Sequence, residues 1–186
     1  MRIISGFLKD KKIDFLKSKV TRPLRDFVKE NIFNIIKHSN LNNIKLENAN
    51  VLDLYSGVGS FGIECISRGA KKSTFVENDI KALILLKKNL STLKIENQSE
   101  VFHQKTSSFF NRLNNKNKFD IIFFDPPFAE DFIIEELKLI RDSTIYKKKH
   151  LIIIHREEKF DNSSDLLIDI LVIRKYGRSK IIFATF

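Results

Sequence analysis

The feature that most narrows what this chain can fold into is a glycine-rich turn set between two contrasting patterns. Val51-Leu52-Asp53-Leu54 is an apolar run of strand length, Gly57-Val58-Gly59-Ser60-Phe61-Gly62 follows it, and Ser60 to Arg68 has helical period until Gly69 stops it. A strand, a G-x-G-x-x-G turn and a helix in that order open a nucleotide-binding βαβ unit, in which glycines let the main chain approach a ligand closely. Glu77 falls eighteen residues beyond Gly59, at the end of the next strand-like run. A carboxylate there can accept both hydroxyls of a ribose.

The alternation continues along the chain. Ser73 to Glu77 reads as a second strand, and Asp79 caps a helix whose Leu83, Leu86, Leu90 and Leu93 share one face. A weaker strand falls at Val101 to His103. Phe119 to Phe124 is the most hydrophobic strand and runs into Asp125-Pro126-Pro127-Phe128, where two prolines end pairing. A helix at about Asp131 to Ile140, the run Leu151 to Ile154, and strands Leu166 to Ile173 and Lys180 to Thr185 complete the set. The last two join through Gly177 by a turn too short for a helical crossover, which predicts an antiparallel hairpin. The Asn/Lys-rich stretches Ser39 to Asn50 and Asn111 to Lys118 read as loops. The expected fold is therefore α/β, a mostly parallel seven-stranded sheet ending in an antiparallel hairpin. That is the Rossmann-like layout of class I S-adenosylmethionine-dependent methyltransferases. Residues 46–186 are expected to form this core. Residues 1–45 form an N-terminal extension: a basic hairpin from Arg2 to Val20, then a helix opened by Thr21-Arg22-Pro23, where a proline costs no hydrogen bond.

A glycine turn alone serves NAD as well as S-adenosylmethionine. Asp53, in the run Asp53-x-Tyr55-Ser56-Gly57-x-Gly59, favours the second, because a nearby carboxylate attracts a cationic sulfonium cofactor with a free ammonium and repels a pyrophosphate. Asp53, Tyr55, Ser56, Gly57, Gly59, Glu77 and Asn78 are the candidate cofactor residues.

Asp125-Pro126-Pro127-Phe128 points to the acceptor. The lone pair of a nucleobase amine is delocalised into its ring, so the amine is a poor nucleophile. Asp125 can accept one N–H and the Pro126 carbonyl another, aiming the nitrogen lone pair from a turn that Pro126 and Pro127 keep rigid. Phe128 offers a face on which a base can stack, worth about 1–3 kcal/mol in single-strand binders. An aryl amine is too weak an acid for a carboxylate to deprotonate before attack, so its proton leaves after transfer. Adenine and cytosine amines, in DNA or RNA, suit the same motif. An NAD-dependent oxidoreductase has no use for it, and a non-catalytic RNA-binding or assembly factor would retain only the fold.

Composition supplies the partner. Lys and Arg number 33 against 23 Asp and Glu, a formal charge of +10 in a chain that is 42% hydrophobic. Residues 1–37 hold 10 basic and 4 acidic residues, six of those ten net charges. Such a concentration fits a polyanionic partner better than an evenly spread mutational bias. The single cysteine, Cys65, rules out an internal disulfide and reads as helix core. No zinc spacing is present and no metal is expected. His38, His103, His150 and His155 show no pairing in sequence that suggests catalysis. No apolar run reaches membrane-spanning length and the first residues lack a signal-peptide pattern, so a soluble cytoplasmic protein, with no membrane partner, is expected.

With these residues in view, the chain resembles the RsmD family of bacterial 16S ribosomal RNA guanine-N2 methyltransferases. The likeness runs through Arg2-Ile3-Ile4-Ser5-Gly6, Arg22-Pro23 with Asp26-Phe27-Val28-Lys29-Glu30 and Phe33-Asn34, Leu52 to Gly57, Gly62-Ile63-Glu64, Ser67-Arg68-Gly69-Ala70 and Asp125-Pro126-Pro127-Phe128. The resemblance implies transfer of a methyl group to N2 of a guanine in small-subunit rRNA, within an assembly particle, by a monomer. It departs from the family at Leu24 and Lys29, and at Lys105, where the family often carries Asn or Asp toward the adenine; groups near Thr106 are the expected substitute. Lys11, Lys12, Arg22 and Arg25 are the expected RNA-phosphate contacts, while the target base turns out of its stack toward Asp125 and Phe128.

Overall fold

In this computed structural model the described residues are 1–16, 24, 26–110, 118–127, 133–159 and 167–186. Among the described residues five α-helices and seven strands follow one another: α1 (Asp26–His38), β1 (Asn50–Leu54), α2 (Ser60–Ser67), β2 (Lys72–Glu77), α3 (Ile80–Leu93), β3 (Ser99–His103), α4 (Thr106–Phe110), β4 (Phe119–Phe124), α5 (Ile133–Ser143), β5 (Tyr146–Glu157), β6 (Asp169–Tyr176) and β7 (Ser179–Thr185). The strands form one sheet in the order β3-β2-β1-β4-β5-β7-β6. The first five are mutually parallel, and β7 runs antiparallel to both β5 and β6.

Strand alternation sorts the core onto two faces. Val51, Ile121, Phe123, Leu151, Ile153, Ile181 and Phe183 pack against α1 and α2. Leu52, Leu54, Ile122, Phe124, Ile152, Ile154, Ile182 and Ala184 pack against α4 and α5. On the first face, the Phe33, Phe61 and Phe123 rings stack in series, with centroids 5.3 and 4.0 Å apart.

Several boundaries differ from expectation. Strand β5 extends well beyond Leu151 to Ile154: exposed Lys147, Lys148 and Lys149 precede that run, and Arg156 and Glu157 still pair with Lys180 and Ser179 of β7. Apolarity marks only the part of a strand covered on both faces, whereas pairing continues wherever a neighbour offers main-chain partners. Strand β6 is an edge strand with exposed Ile170, Leu171 and Ile173, which blurs its alternation and moves its start to Asp169. The short helix α4, unannounced by the sequence pattern, buries Phe109 and Phe110.

Among the described residues of the N-terminal segment Arg2 and Lys12 form an antiparallel bridge, flanked by main-chain bonds from the Ile3 amide to the Lys11 carbonyl and from the Ile13 amide to the Met1 carbonyl; residues 17–20 of the expected hairpin, and residues 21–23 of the expected helix start, lie outside the described residues. Ile3, Leu8 and Ile13 join Ile63, Ile66, Phe75, Leu86 and Leu90 in a third apolar cluster. The wholly buried Glu64 accepts hydrogen bonds from the Ile4 and Ser5 amides at 2.8 and 3.0 Å and pairs with Arg68 at 2.7 Å and Lys29 at 3.5 Å. Burial lowers the Lys29 pKa, against the pull of Glu64. Gly6 passes so close to α2 that a Cβ would lie 1.7 Å from the Ser67 carbonyl oxygen, so no other residue fits there without moving the segment.

Candidate methyl-transfer site

Because β1, β2 and β4 are parallel, their carboxyl ends meet along one edge of the sheet, where such sheets bind ligands. The chain leaves β1 through Tyr55, held at φ 59°, and Gly57 and Gly59 continue the turn at φ 54° and 87°. The Gly59 amide donates to the Ser56 carbonyl at 2.8 Å, and α2 begins at once. A Cβ on Gly62 would meet the Phe75 ring at 2.3 Å, so the third glycine lets α2 lie against β2. Beside Gly57 none of the described residues lies within 4 Å of such an atom, which leaves the turn open to them on that side.

Two carboxylates anchor this turn. Glu77 accepts the Gly57 amide at 2.6 Å on Oε2, and the Asn78 and Asp79 amides at 2.8 and 2.7 Å on Oε1. Asp53, 1% exposed, accepts the Gly62 amide at 2.9 Å. Burial pushes the Asp53 carboxyl up to about 8; the Gly62 amide offsets part of that, and the charges of Asp125 and Glu77 add to it.

The other candidates divide in a physical way. The Tyr55 hydroxyl donates to Glu136 Oε1 at 2.7 Å and its ring meets Phe124 edge-on, so the side chain is spent on the α5 side of the sheet. Asn78 is exposed, and its carbonyl lies 3.2 Å from His103 Nε2. Thr106 is buried in the first turn of α4, behind exposed Lys105. Among the described residues the buried Ser56 hydroxyl has no hydrogen-bond partner and the buried Asp53 carboxyl has no cation beside it. A cofactor carrying an ammonium would complete both groups. Asp53, Ser56, Gly57, Gly59 and Glu77 are the residues that could hold it.

Asp125 continues β4 on the same sheet face as Asp53, and Pro126 is buried behind it. Phe128 lies outside the described residues, as do Arg22 and Arg25. The expectation that His155 is unpaired is corrected here: its Nδ1 lies 2.9 Å from Asp125 Oδ1. The next residue, Arg156, donates from its guanidinium to the Pro127 carbonyl at 3.2 Å. The sequence did hold a signal for the first pair. Asp125 and His155 are each the first polar residue after the apolar run of neighbouring parallel strands, in which Phe124 pairs with Ile154.

Lys11 and Lys12, with Leu8, Thr92, Leu93 and Lys94, line a groove at the last turn of α3. One turn earlier on that helix the Asn89 side-chain amide donates to the Val58 carbonyl of the glycine turn at 3.1 Å.

One carboxylate each from β1, β2 and β4 therefore converges on an open glycine turn, in a sheet whose last strand is inserted antiparallel. Class I S-adenosylmethionine-dependent methyltransferases are built on this plan, and the chain is one of them. Residues 1–185 match the family described as "Conserved hypothetical protein 95", and the chain belongs to that family. It is 36% identical over 159 residues to Ribosomal RNA small subunit methyltransferase D of Haemophilus influenzae, covering 85% of this chain and 79% of the relative. The protein of that name from Buchnera aphidicola subsp. Acyrthosiphon pisum is 34% identical over 84% of this chain and 78% of its own length. Among solved structures, yhhF of Escherichia coli superposes with a TM-score of 0.82 at 26% identity, covering 99% of this chain and 96% of that one. A more distant neighbour, SMU.776, shares the fold at 16% identity (TM-score 0.64, 82% of this chain and 50% of that one) and was solved with S-adenosylhomocysteine. Among the described residues, no helix is long and apolar enough to cross a membrane.

Proposed function

We propose that this methyltransferase acts on the exocyclic N2 amine of a guanine in 16S rRNA. The observation that carries this reading is the Asp125 carboxylate at the end of β4: one oxygen is engaged by His155, and the residue stands among the carboxylates that frame the cofactor turn. The names of the curated relatives support rRNA of the small subunit as the substrate.

The bound cofactor supplies an already activated methyl group, so the protein's part is alignment. Asp125 accepts one amine N–H and the Pro126 carbonyl the other, which turns the nitrogen lone pair toward the methyl carbon. After transfer, Asp125 would accept the proton that the cationic nitrogen gives up. Phe128 stacks on the base. Asp53, Ser56, Gly57, Gly59 and Glu77 hold the cofactor, with Tyr55 setting the turn and Asn78 and Thr106 bordering the adenine side.

Residues 1–45 act as the RNA-facing extension of a catalytic core at 46–186. Arg22, Arg25, Lys11 and Lys12 contact phosphates spread along the rRNA. A small-subunit assembly particle in the cytoplasm offers such a spread of phosphates to a monomeric enzyme. Nucleoside mass spectrometry of 16S rRNA from a deletion strain tests the reading. Loss of one N2-methylguanosine, restored by the wild-type gene, is expected; loss of a methyladenine or methylcytosine instead overturns it.

A further inference from the structure

We propose that His155 is a positioning residue for Asp125, its Nδ1–H holding one carboxylate oxygen so that the other faces the amine to be methylated. This rests on the reading that Asp125 accepts an amine N–H. In the β4–β5 register Phe124 pairs with Ile154, which places the next residues, Asp125 and His155, side by side. Phe123 and Ile153, two residues earlier, both point to the α1–α2 face, and strand alternation sends Asp125 and His155 the same way. The contact is 2.9 Å between Nδ1 and Oδ1, with the imidazole 11% and the carboxylate 26% exposed. An ionised carboxylate only accepts, so the hydrogen of this bond lies on Nδ1.

Asp53 and Asp125 are close enough that the charge of Asp125 helps push the Asp53 carboxyl upward. Asp53 has a main-chain amide as its partner, and Asp125 has the imidazole. Other titratable groups on elements packed over this face are Glu77 of β2, Lys29 of α1, Glu64, Cys65 and Arg68 of α2, and Tyr176 of β6. Alternation puts Arg156 and Lys180 on the reverse face with Glu136 of α5.

The test is single-turnover methyl transfer by the full chain to small-subunit particles isolated from a strain lacking the gene. His155→Ala should slow transfer about ten- to hundredfold, the size of a lost alignment. Affinity for S-adenosylhomocysteine should stay within about twofold. His155→Asn, whose amide nitrogen occupies the place of Nδ1, should recover most of the rate. A His155→Ala enzyme with wild-type rate overturns the inference alone, as does an Asn variant no better than Ala. Wild-type enzyme that leaves the particles unmethylated overturns the substrate reading and this inference with it.

Discussion

Around the glycine turn the carboxylates bond main-chain amides, Glu77 those of residues 57, 78 and 79 and Asp53 that of Gly62. At the ends of β4 and β5 the bonds join residues about thirty positions apart, Asp125 to His155 and Arg156 to the Pro127 carbonyl. The first arrangement is stiff because main-chain amides are fixed by the fold itself, which suits a cofactor common to a whole fold class. The second can change by substitution of single side chains, which suits the half that meets a particular base.

If the halves are separable in this way, Asp125→Ala should lower methyl transfer by at least about a thousandfold, at the upper range for a proton-accepting group, and leave S-adenosylhomocysteine affinity within about twofold by calorimetry. A tenfold loss of affinity would show the halves to be one unit. Stiffness of the glycine turn predicts that Gly62→Ala, which drives a methyl group into Phe75, costs about 1–3 kcal/mol of stability in urea unfolding.

Asp53 provides a pH signature for the cofactor half. Its carboxyl lies at about 8 in the folded protein against an ordinary 3.8, so between these values the folded state keeps a proton that the unfolded chain has released. Its contribution to stability is complete below about pH 4 and is lost as pH rises through about 8. The Tm of the ligand-free wild type should therefore fall more between about pH 5 and 8 than that of Asp53→Asn; equal slopes would remove Asp53 as the cause. The smallest effect is expected at Ser56, whose hydroxyl is already unpartnered. Ser56→Ala should change ligand-free stability by no more than about 1 kcal/mol while weakening S-adenosylhomocysteine binding several-fold. An unchanged affinity would mean that the cofactor never meets this group.

Much of the cofactor half was legible in the sequence, since the glycine spacing and Glu77 are read within one βαβ unit. Asp125 and the prolines were legible because they interrupt the most apolar strand. Its partner was legible only as the first polar residue after Ile154, in a stretch that continues as strand because β7 supplies Ser179, Lys180 and Ile181 opposite it. Lys29 reads as a surface charge on an amphipathic helix, yet it is wholly buried against Glu64, a residue that belongs to another helix.

The sequence by itself determined the order and type of the elements, the glycine turn and the D-P-P stop, because periodicity, capping and proline act over a few residues. Only the tertiary structure decided which side chains meet across strands and where the lysines of the N-terminal segment stand. Strand register brings Asp125 and His155 to one point, and the packing of the N-terminal segment sets Lys11 and Lys12 beside the last turn of α3. Register and packing belong to the assembled fold and not to any segment of the chain.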